Sequence, residues 1–394
     1  MRILINDFGG YAFIAQLARQ LALLDTEVHH CYCASLTTTP HGNVAKDDVA
    51  GCQIHPIQLT APLQKYSFVK RRAQEVEYGK RAADLVQRIR PDIVVSANTP
   101  LDALRSIWRA ATRTKSRKVF WLQDIIGEAA HRILSKKLPL IGKLIGGHYI
   151  RLEKSLLRAS DLVLPISSAF SGYLDQAGVR SEQVKVFENW APIEDIPLLE
   201  KDNSWSREHR LNERFVVLYS GTLSMKHDPA LILQVAKALE PTGGLMVVRS
   251  QGLGADWLKE QNTSGSYPSL RIDGYVPYQD LPSSLASADV LLAVLEPDAA
   301  KYSVPSKVLT YLSAGRAVLL VSPQENLAAQ KVLASAGGVV ISDTRTGTLV
   351  NAVQDLAGNL VKTKQFGSNG RRYAEKEFNI ASIRDRFFQT INAC

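Results

Sequence analysis

The sequence predicts an α/β protein made of two doubly wound domains. The chain has 394 residues, which favours two domains of ordinary size. Short segments rich in Val, Ile and Leu alternate with helical patterns over most of its length, as in buried parallel sheets. Because parallel strands are joined by right-handed helical crossovers, we expect each half to be Rossmann-like.

The first half of the chain carries seven candidate strands with helical segments between them. Helices are predicted, for example, over residues 11–24 and 74–90. The strands are predicted at residues 2–5, 27–33, 53–57, 93–96, 118–122, 162–166 and 184–187. We expect these elements to form an N-terminal domain over residues 1–195.

A change of composition separates the two halves. Two X-Pro steps (Ala191-Pro192 and Ile196-Pro197) precede a polar run, and together they predict a linker over residues 196–214. The alternation then resumes, with strands predicted at residues 215–219, 245–249, 270–272, 290–295, 317–321 and 338–341. We expect a C-terminal domain over residues 215–375 and a helical tail over 376–394 that returns to the first domain. Two such domains facing each other across a cleft would hold ligands at the carboxyl ends of their strands.

The composition indicates the compartment and the kind of partner that we expect for this protein. The four cysteines have no metal-ligand spacing and no signal peptide is evident, so we expect a reducing cytoplasm. No apolar run is long enough to span a bilayer. The net charge of +9 indicates an anionic partner. Nucleic acid is disfavoured, because the sequence lacks zinc-finger spacing, an RNA-binding signature and basic residues interleaved with stacking platforms.

The stretch 304–318 is the strongest candidate for a binding site. Pro305-Ser306 is typical of a helix start, with Ser as a cap, and Lys307 falls in the first turn. A helix N-terminus presents free N–H groups and partial positive charge, so it suits a diphosphate. Glu296, at the end of the preceding strand, is placed to accept sugar or ribose hydroxyls. The alternative is an ordinary crossover with a solvated lysine.

Glycine-containing loops follow other predicted strands. Gly221 permits close backbone approach and Lys226 could pair with a phosphate, while Tyr275 and the backbone beside Val276 suit a nucleobase. Gly9 and Gly10 follow the first strand, but no G-x-G-x-x-G is present there, which disfavours a nicotinamide cofactor. Structural turns without a ligand are the alternative at each of these loops.

Two stretches combine basic and bulky apolar residues. They are residues 65–72 and residues 131–158, and Glu153 is the single acid in the second. This composition suits an anionic membrane surface. The alternative is a solvated basic face on helices that pack against the sheet.

Short motifs in a fixed order carry a family resemblance. In the second half they are Ser220-Gly221-Thr222-Leu223 with Lys226, Gly252-Leu253-Gly254, Gly274-Tyr275-Val276, Ser287-Ala288-Asp289-Val290, and Pro305-Ser306-Lys307 with residues 311–318. In the first half they are Gly9-Gly10, Trp121-Leu122-Gln123-Asp124, Ser167-Ser168 and Glu188-Asn189-Trp190. The order resembles family 4 glycosyltransferases with the GT-B fold, and most closely their bacterial surface-polysaccharide branch.

The resemblance implies a hexosyltransferase-type enzyme without cofactor. It would move a sugar from a nucleoside-diphosphate sugar, with UDP favoured over GDP, to a lipid-linked or saccharide acceptor, with retention and without a metal ion. It would work in the cytoplasm, on the inner face of the membrane. The donor-binding residues it implies are Gly9, Gly10, Gly221, Thr222, Tyr275, Val276, Glu296, Pro305, Ser306, Lys307 and Tyr311.

The same resemblance suggests catalytic and acceptor residues. Lys226 and Lys307 would stabilise the departing diphosphate, and Asp124 would act as a base or position the acceptor. Gln123, Glu128 and Asn189 would lie around the acceptor.

Departures from the family pattern leave other functions open. Where the family has two glutamates with seven residues between them, this chain has Tyr302 and Thr310. Thr222 replaces the usual Arg and Gln123 the usual His. One alternative is therefore an inactive sugar-nucleotide binder that acts as a scaffold. Another is a nucleotide-sugar epimerase on the same fold, although no cluster of acid–base carboxylates and histidines supports it.

Overall fold

The chain folds into two units. The computed structural model describes residues 1–36, 49–64, 67–223, 227–263, 265–296, 300, 303–344 and 347–393. The first unit comprises Met1–Asn189 and Ile380–Cys394, and the second comprises Trp190–Asn379. Each unit contains one six-stranded sheet in which every described strand pair is parallel.

The first unit follows the alternation expected from its sequence. Its strands are β1 (Arg2–Asp7), β2 (Glu27–Cys33), β3 (Cys52–Ile57), β4 (Ile93–Ala97), β5 (Arg117–Leu122) and β6 (Leu162–Pro165). Its helices before the second unit are α1 (Ala12–Ala22), α2 (Phe68–Ile89), α3 (Leu101–Thr114), α4 (Ile126–Lys137), α5 (Ile141–Arg158) and α6 (Ser171–Ala177). The sheet order is β3-β2-β1-β4-β5-β6. Apolar residues of β1 and α1, such as Leu4 and Leu17, are fully buried in the core of this unit.

The second unit repeats this plan. Its strands are β7 (Val216–Ser220), β8 (Leu245–Arg249), β9 (Leu270–Asp273), β10 (Val290–Val294), β11 (Ala317–Val321) and β12 (Gly338–Ile341). Its helices are α7 (Ser204–Glu208), α8 (Ala230–Leu239), α9 (Leu253–Gln261), α10 (Leu281–Ala286), α11 (Lys307–Ser313), α12 (Leu327–Ala334), α13 (Thr348–Gly358) and α14 (Leu360–Glu377). The sheet order is β12-β11-β10-β7-β8-β9.

Both sheets have the same connectivity. Read from the third strand of each unit, the order is third, second, first, fourth, fifth and sixth, which is the doubly wound Rossmann order. The chain therefore reverses direction across the sheet between β1 and β4, and again between β7 and β10. Ligands of such sheets bind at the carboxyl ends of the strands beside this point.

The last helix, α15 (Ile380–Asn392), belongs to the first unit. Its Phe387 ring lies 5.3 Å from the ring of Trp121 and 5.1 Å from that of Phe187, measured between centroids. The Arg117 side chain donates to the carbonyl of Ile391 at 2.5 Å. These contacts hold the C-terminal helix against β5.

Residues 190–214, part of which the sequence suggested as a linker, pack within the second unit. The ammonium of Lys201 lies 2.5 Å from the Asp289 carboxylate. The hydroxyl of Tyr278 donates to the Asp195 carboxylate at 2.8 Å.

One predicted strand is wrong. Residues 184–187 form only an isolated bridge, between Val184 and Val163. The N–H groups of Lys185 and Phe187 donate to the carbonyls of Val163 and Pro165. Pro165 has no N–H to offer in return, so the ladder does not continue. Helix boundaries also differ, since α2 begins at Phe68 rather than at residue 74.

The described helices include none that is both long and apolar enough to cross a membrane.

Candidate functional site

In the second unit, Lys307 points back to the end of β7. Its Nζ lies 3.7 Å from the centroid of the Tyr219 ring. The same Nζ lies 3.2 Å from the position that a Cβ on Gly221 would occupy. The loop of Gly221 and the start of α11 are therefore adjacent at the reversal point between β7 and β10. They are separated by about 85 residues of sequence.

A glycine is required at position 221 both by the backbone conformation there and by the adjacent Lys307 side chain. Its φ of +114° lies in a region that L-residues rarely adopt. Its N–H donates to the carbonyl of Arg249 at 3.0 Å, which ties the loop to the end of β8. Any side chain here would strain the backbone and approach the Lys307 ammonium.

Three tyrosine hydroxyls hold the loop after β7. The Tyr311 hydroxyl accepts from the N–H of Ser220 and donates to its carbonyl, each at 3.0 Å. The Tyr219 hydroxyl donates to the carbonyl of Thr222 at 3.0 Å. The hydroxyls of Thr222 and Tyr275 lie 2.5 Å apart. Tyr275, expected to face a base, is thus joined to the loop expected to face the phosphates.

The start of α11 differs from expectation in one respect. Ser306 is exposed, has a helical backbone and makes no side-chain cap. The predicted cap is therefore wrong, because an extended backbone is needed for the hydroxyl to reach the first-turn N–H groups. Pro305 is half-buried beside it, and its carbonyl accepts from Val308 N–H at 3.1 Å.

The remaining donor-site candidates surround this edge of the second sheet or lie outside the described residues. Glu296 and Val276 are half-buried in the segments that follow β10 and β9. Thr310, at one of the two family glutamate positions, lies on α11. Lys226 and Tyr302 lie outside the described residues.

A buried arginine that was not among the predicted site residues supports the same edge. Arg249 ends β8 with only 7% of its surface exposed, and its Nη1 lies 3.1 Å from the Asp273 carboxylate. The Arg271 Nε lies 2.8 Å from the same carboxylate, and the Trp205 ring lies 5.4 Å from Arg249 Cζ. Burial lowers the pKa of Arg249, while Asp273 opposes that shift. An arginine and an aspartate at the ends of successive apolar strands were the available sequence signal.

In the first unit, Asp7 organises the loop after β1. Its carboxylate accepts the N–H of Gly9 at 3.1 Å and that of Tyr11 at 2.5 Å. Gly10 has a φ of +64° and donates to the Asp7 carbonyl. Burial raises the pKa of Asp7 to about 7, against the effect of these hydrogen bonds. Gly9 and Gly10 therefore form a tight turn around a buried carboxyl group.

The end of β5 carries the acceptor-side candidates. The side-chain amides of Gln123 and Asn189 bond to each other twice, at 3.1 Å and 2.5 Å. Asp124 is exposed next to them. Burial raises the pKa of Tyr11, and the charges of Asp7 and Asp124 add to that shift. The charge of Asp124 therefore acts on Tyr11, the residue that follows the Gly9-Gly10 turn.

Among the residues that the structure describes, no three or more His, Cys, Asp and Glu side chains are grouped so that they could hold a metal ion.

Comparison with known proteins identifies the first unit. Residues 8–190 match the family described as the glycosyl transferase 4-like domain. The matched residues include the Gly9-Gly10 turn that follows Asp7 and the Gln123–Asn189 pair.

A relative and two solved structures extend the comparison to the whole chain. The putative colanic acid biosynthesis glycosyl transferase WcaI of Escherichia coli K12 is 25% identical over 236 residues, which are 58% of this chain and 57% of WcaI. HepE from Anabaena, solved with UDP-glucose, superposes with a TM-score of 0.73 at 17% identity, over 100% of both chains. WaaG, a glycosyltransferase involved in lipopolysaccharide biosynthesis, gives 0.69 at 12% identity, over 99% of both chains. The chain therefore has the GT-B fold, and the predicted resemblance to family 4 is confirmed.

Within the glycosyl transferase 4-like domain, α4 and α5 form a tightly packed pair, called here the α4–α5 hairpin (Ile126–Arg158). A Cβ on Gly142 would lie 2.0 Å from the Leu134 carbonyl oxygen, and one on Gly146 would lie 2.4 Å from the His131 Cα. The helices thus touch backbone to backbone through glycines. The large apolar side chains at the tip of the hairpin are not part of this contact.

A buried carboxyl group on α5 bonds to the start of α4 in the α4–α5 hairpin. Glu153, the single acid of the basic stretch, is 0% exposed. Its oxygens accept the N–H groups of Ile126 at 2.9 Å and Gly127 at 3.0 Å, and the hydroxyl of Tyr173 at 2.5 Å. Burial raises its pKa to about 7, and the charge of nearby Glu128 adds to the shift. Glu128, an acceptor-side candidate, is half-buried in the first turn of α4.

The two basic–apolar stretches come together in this domain. The Phe68 and Tyr149 rings meet edge to face at 6.5 Å. Arg72 and Tyr149 both bond to the buried carboxylate of Asp102, at 2.9 Å and 3.0 Å. The large apolar residues that are exposed in the two stretches are Phe68, Val69, Ile133, Leu138, Leu140, Ile141 and Leu144. Lys65 and Tyr66 of the first stretch lie outside the described residues.

Proposed function

We propose that this protein transfers a sugar from a nucleoside-diphosphate sugar to a lipid-linked or saccharide acceptor in bacterial surface-polysaccharide synthesis. The observation that carries the proposal is the gathering of Gly221, Tyr311 and Lys307 at the reversal point of the second sheet. A glycine that allows close approach and a cation beside it are the groups that a diphosphate requires.

Lys307 supplies the chemistry of the leaving group. As the bond from the sugar to the diphosphate breaks, negative charge accumulates on the diphosphate oxygens. A fixed ammonium in a half-buried site lowers the energy of that transition state. Lys226, placed by the sequence in the loop after β7, would add a second cation. Since lysines supply this charge and the sequence has no Asp-x-Asp motif, we propose a reaction without a metal ion.

UDP is the proposed nucleotide. HepE, which shares the fold, has been solved with UDP-glucose, and WcaI is named for colanic acid biosynthesis. Tyr275 and Val276 follow β9, where a base can lie against exposed backbone. Retention of anomeric configuration is proposed from the family resemblance, and proton NMR of the product would test it.

The first unit is proposed to bind the acceptor. Asp124 is exposed beside the Gln123–Asn189 amide pair, so it can accept a proton from an acceptor hydroxyl or orient that hydroxyl. The amide pair fixes the backbone at the end of β5 and so positions Asp124.

We also propose that the first unit docks on an anionic lipid surface at the inner face of the membrane. Leu140 and Leu144 are 82% and 74% exposed at the tip of the α4–α5 hairpin. Lys136 and Lys143 are exposed near them, and Lys70 is exposed beside Val69. Apolar side chains that can enter the headgroup region, surrounded by cations, fit such a surface. Docking there would bring the enzyme to a lipid-linked acceptor.

Calorimetric titration with UDP and with GDP, each without added metal, tests the proposal. We expect UDP to bind more tightly, and a panel of UDP-sugars to show turnover with at least one acceptor. Binding without turnover on any donor would favour the inactive scaffold instead. Binding of neither nucleotide would overturn the proposed donor site.

A further inference from the structure

The Tyr219 ring lies beneath the Lys307 ammonium. Tyr219 is 0% exposed, so its ring face is shielded from water. The Lys307 Nζ lies 3.7 Å from the ring centroid, well within the distance at which a cation is attracted to an aromatic face. The attraction is strongest where the ring is desolvated, as it is here.

The rest of Tyr219 is held independently of the lysine. Its hydroxyl donates to the carbonyl of Thr222 and lies 3.4 Å from the His227 Nδ1. Its strand pairs with β8, Tyr219 standing opposite Val248. The ring is therefore a fixed surface, whereas the lysine stem has four rotatable bonds.

The ring also faces the loop expected to meet the diphosphate. The Lys307 Nζ that rests on it is the atom closest to a Cβ built on Gly221. A lysine without such a support would distribute its ammonium over many rotamers, most of them away from Gly221.

We propose that Tyr219 is a positioning residue for sugar transfer: its ring holds the Lys307 ammonium at Gly221, ready for the diphosphate. This inference rests on the proposed function, because it assumes that a nucleoside diphosphate binds there. It assigns a role to a buried strand residue that neither the sequence motifs nor the comparisons single out.

Fluorinated aromatic residues test the electrostatic part of this role. In the 394-residue chain, Phe and then mono-, di- and trifluorinated Phe are placed at position 219, and UDP affinity is measured by calorimetry. Fluorine withdraws charge from the ring face with little change of shape. We expect Tyr219→Phe to stay within about threefold of wild type, and the trifluorinated ring to weaken UDP binding by about tenfold relative to Phe.

Controls separate this effect from a loss of structure. Uridine, which has no phosphate, should bind every member of the series equally. Tyr267→Leu removes the ring beneath Lys237, 5.3 Å from that ammonium in the same unit, and should leave UDP affinity unchanged. The melting temperature of each variant shows whether the fold is retained.

Two results would overturn the inference. UDP affinity that is constant across the fluorinated series would show that the ring charge does not position the lysine. A loss for Tyr219→Phe as large as that for the trifluorinated ring would assign the effect to the hydroxyl. In both cases wild-type protein still binds UDP and the proposed function stands, whereas wild-type protein that binds no nucleotide would refute the proposed function itself.

Discussion

The hydroxyl of Tyr311 spans both backbone groups of Ser220, accepting from its N–H and donating to its carbonyl at 3.0 Å each. The two residues are 91 positions apart and belong to α11 and β7. This phenol therefore connects the helix that carries Lys307 to the strand that leads into Gly221. The geometry of the candidate donor site depends on a side chain that need not touch the donor.

Tyr311→Phe should loosen this connection without creating a cavity. The variant loses two hydrogen bonds, which we expect to lower the free energy of unfolding by about 1–2 kcal/mol. Because the loop then samples more conformations, we expect UDP affinity to fall about fivefold. Urea unfolding and calorimetry measure the two effects. Tyr373→Phe, on α14 of the same unit, is the matched control and should leave UDP affinity unaltered.

Lys307→Ala should affect chemistry more than binding. The ammonium acts on charge that develops as the diphosphate leaves, so we expect kcat to fall roughly 100-fold and KM to change much less. Steady-state kinetics with the best UDP-sugar of the panel provide the measurement. Lys237→Ala is the control, since Lys237 is an exposed lysine near a tyrosine ring elsewhere in the unit. Equal kcat values for wild type and Lys307→Ala would exclude the leaving-group role.

The strands of both sheets were predictable because buried parallel strands are continuous apolar runs. Val290–Val294 and Ala317–Val321 contain only Val, Leu and Ala, and both are fully paired in the second sheet. Residues 184–187 (Val-Lys-Val-Phe) include three apolar residues, but pairing also depends on the partner strand. The missing N–H of Pro165 belongs to that partner, so the local sequence could not reveal it.

Residues of the candidate site could be predicted where the local sequence explains why that residue type is present. Gly221 follows a strand and opens a loop, and Lys307 falls in the first turn of a helix. In the structure these two residues are adjacent. The roles of Arg249 and Glu153 depend on contacts with Asp273 and with the first turn of α4. Those contacts join residues 24 and 27 positions apart, and strand or helix patterns do not specify them.

Charge introduced at the tip of the α4–α5 hairpin should abolish vesicle binding. For Leu140→Glu with Leu144→Glu, we expect at least a tenfold lower partition onto anionic vesicles, because each leucine contributes roughly 1.5–3 kcal/mol when buried and each glutamate is repelled. Co-sedimentation at low salt measures the partition, and binding of wild type should weaken as salt rises.

A second exposed apolar pair provides the control for that experiment. Leu360 and Val361, 51% and 82% exposed at the start of α14, lie in the second unit. Leu360→Glu with Val361→Glu should leave the partition unaltered. Equal binding of wild type to neutral and anionic vesicles, or undiminished binding of the hairpin variant, would contradict the docking surface.

Because of Glu153, the free energy of unfolding should depend on pH. It should do so over the range in which this carboxyl group is protonated in the folded protein and ionised in the unfolded chain. Burial raises its pKa from 4.5 to about 7 in the folded protein. Below pH 4.5 both states are protonated and there is no penalty. As pH rises to about 7 the unfolded chain releases its proton while the folded one retains it, so the free energy of unfolding falls by about 3 kcal/mol. Above that range the penalty is constant.

Glu153→Gln isolates this contribution, because glutamine does not titrate. Urea unfolding of wild type and variant from pH 4.5 to 8 gives the difference between their unfolding free energies. We expect the difference to shift in favour of the variant by about 3 kcal/mol as pH rises. Glu182→Gln, at a side chain that is 66% exposed in the same unit, is the control for the change of side chain itself. A flat curve for Glu153→Gln would show that the folded carboxyl group titrates like that of the unfolded chain, despite its burial against Ile126, Gly127 and Tyr173.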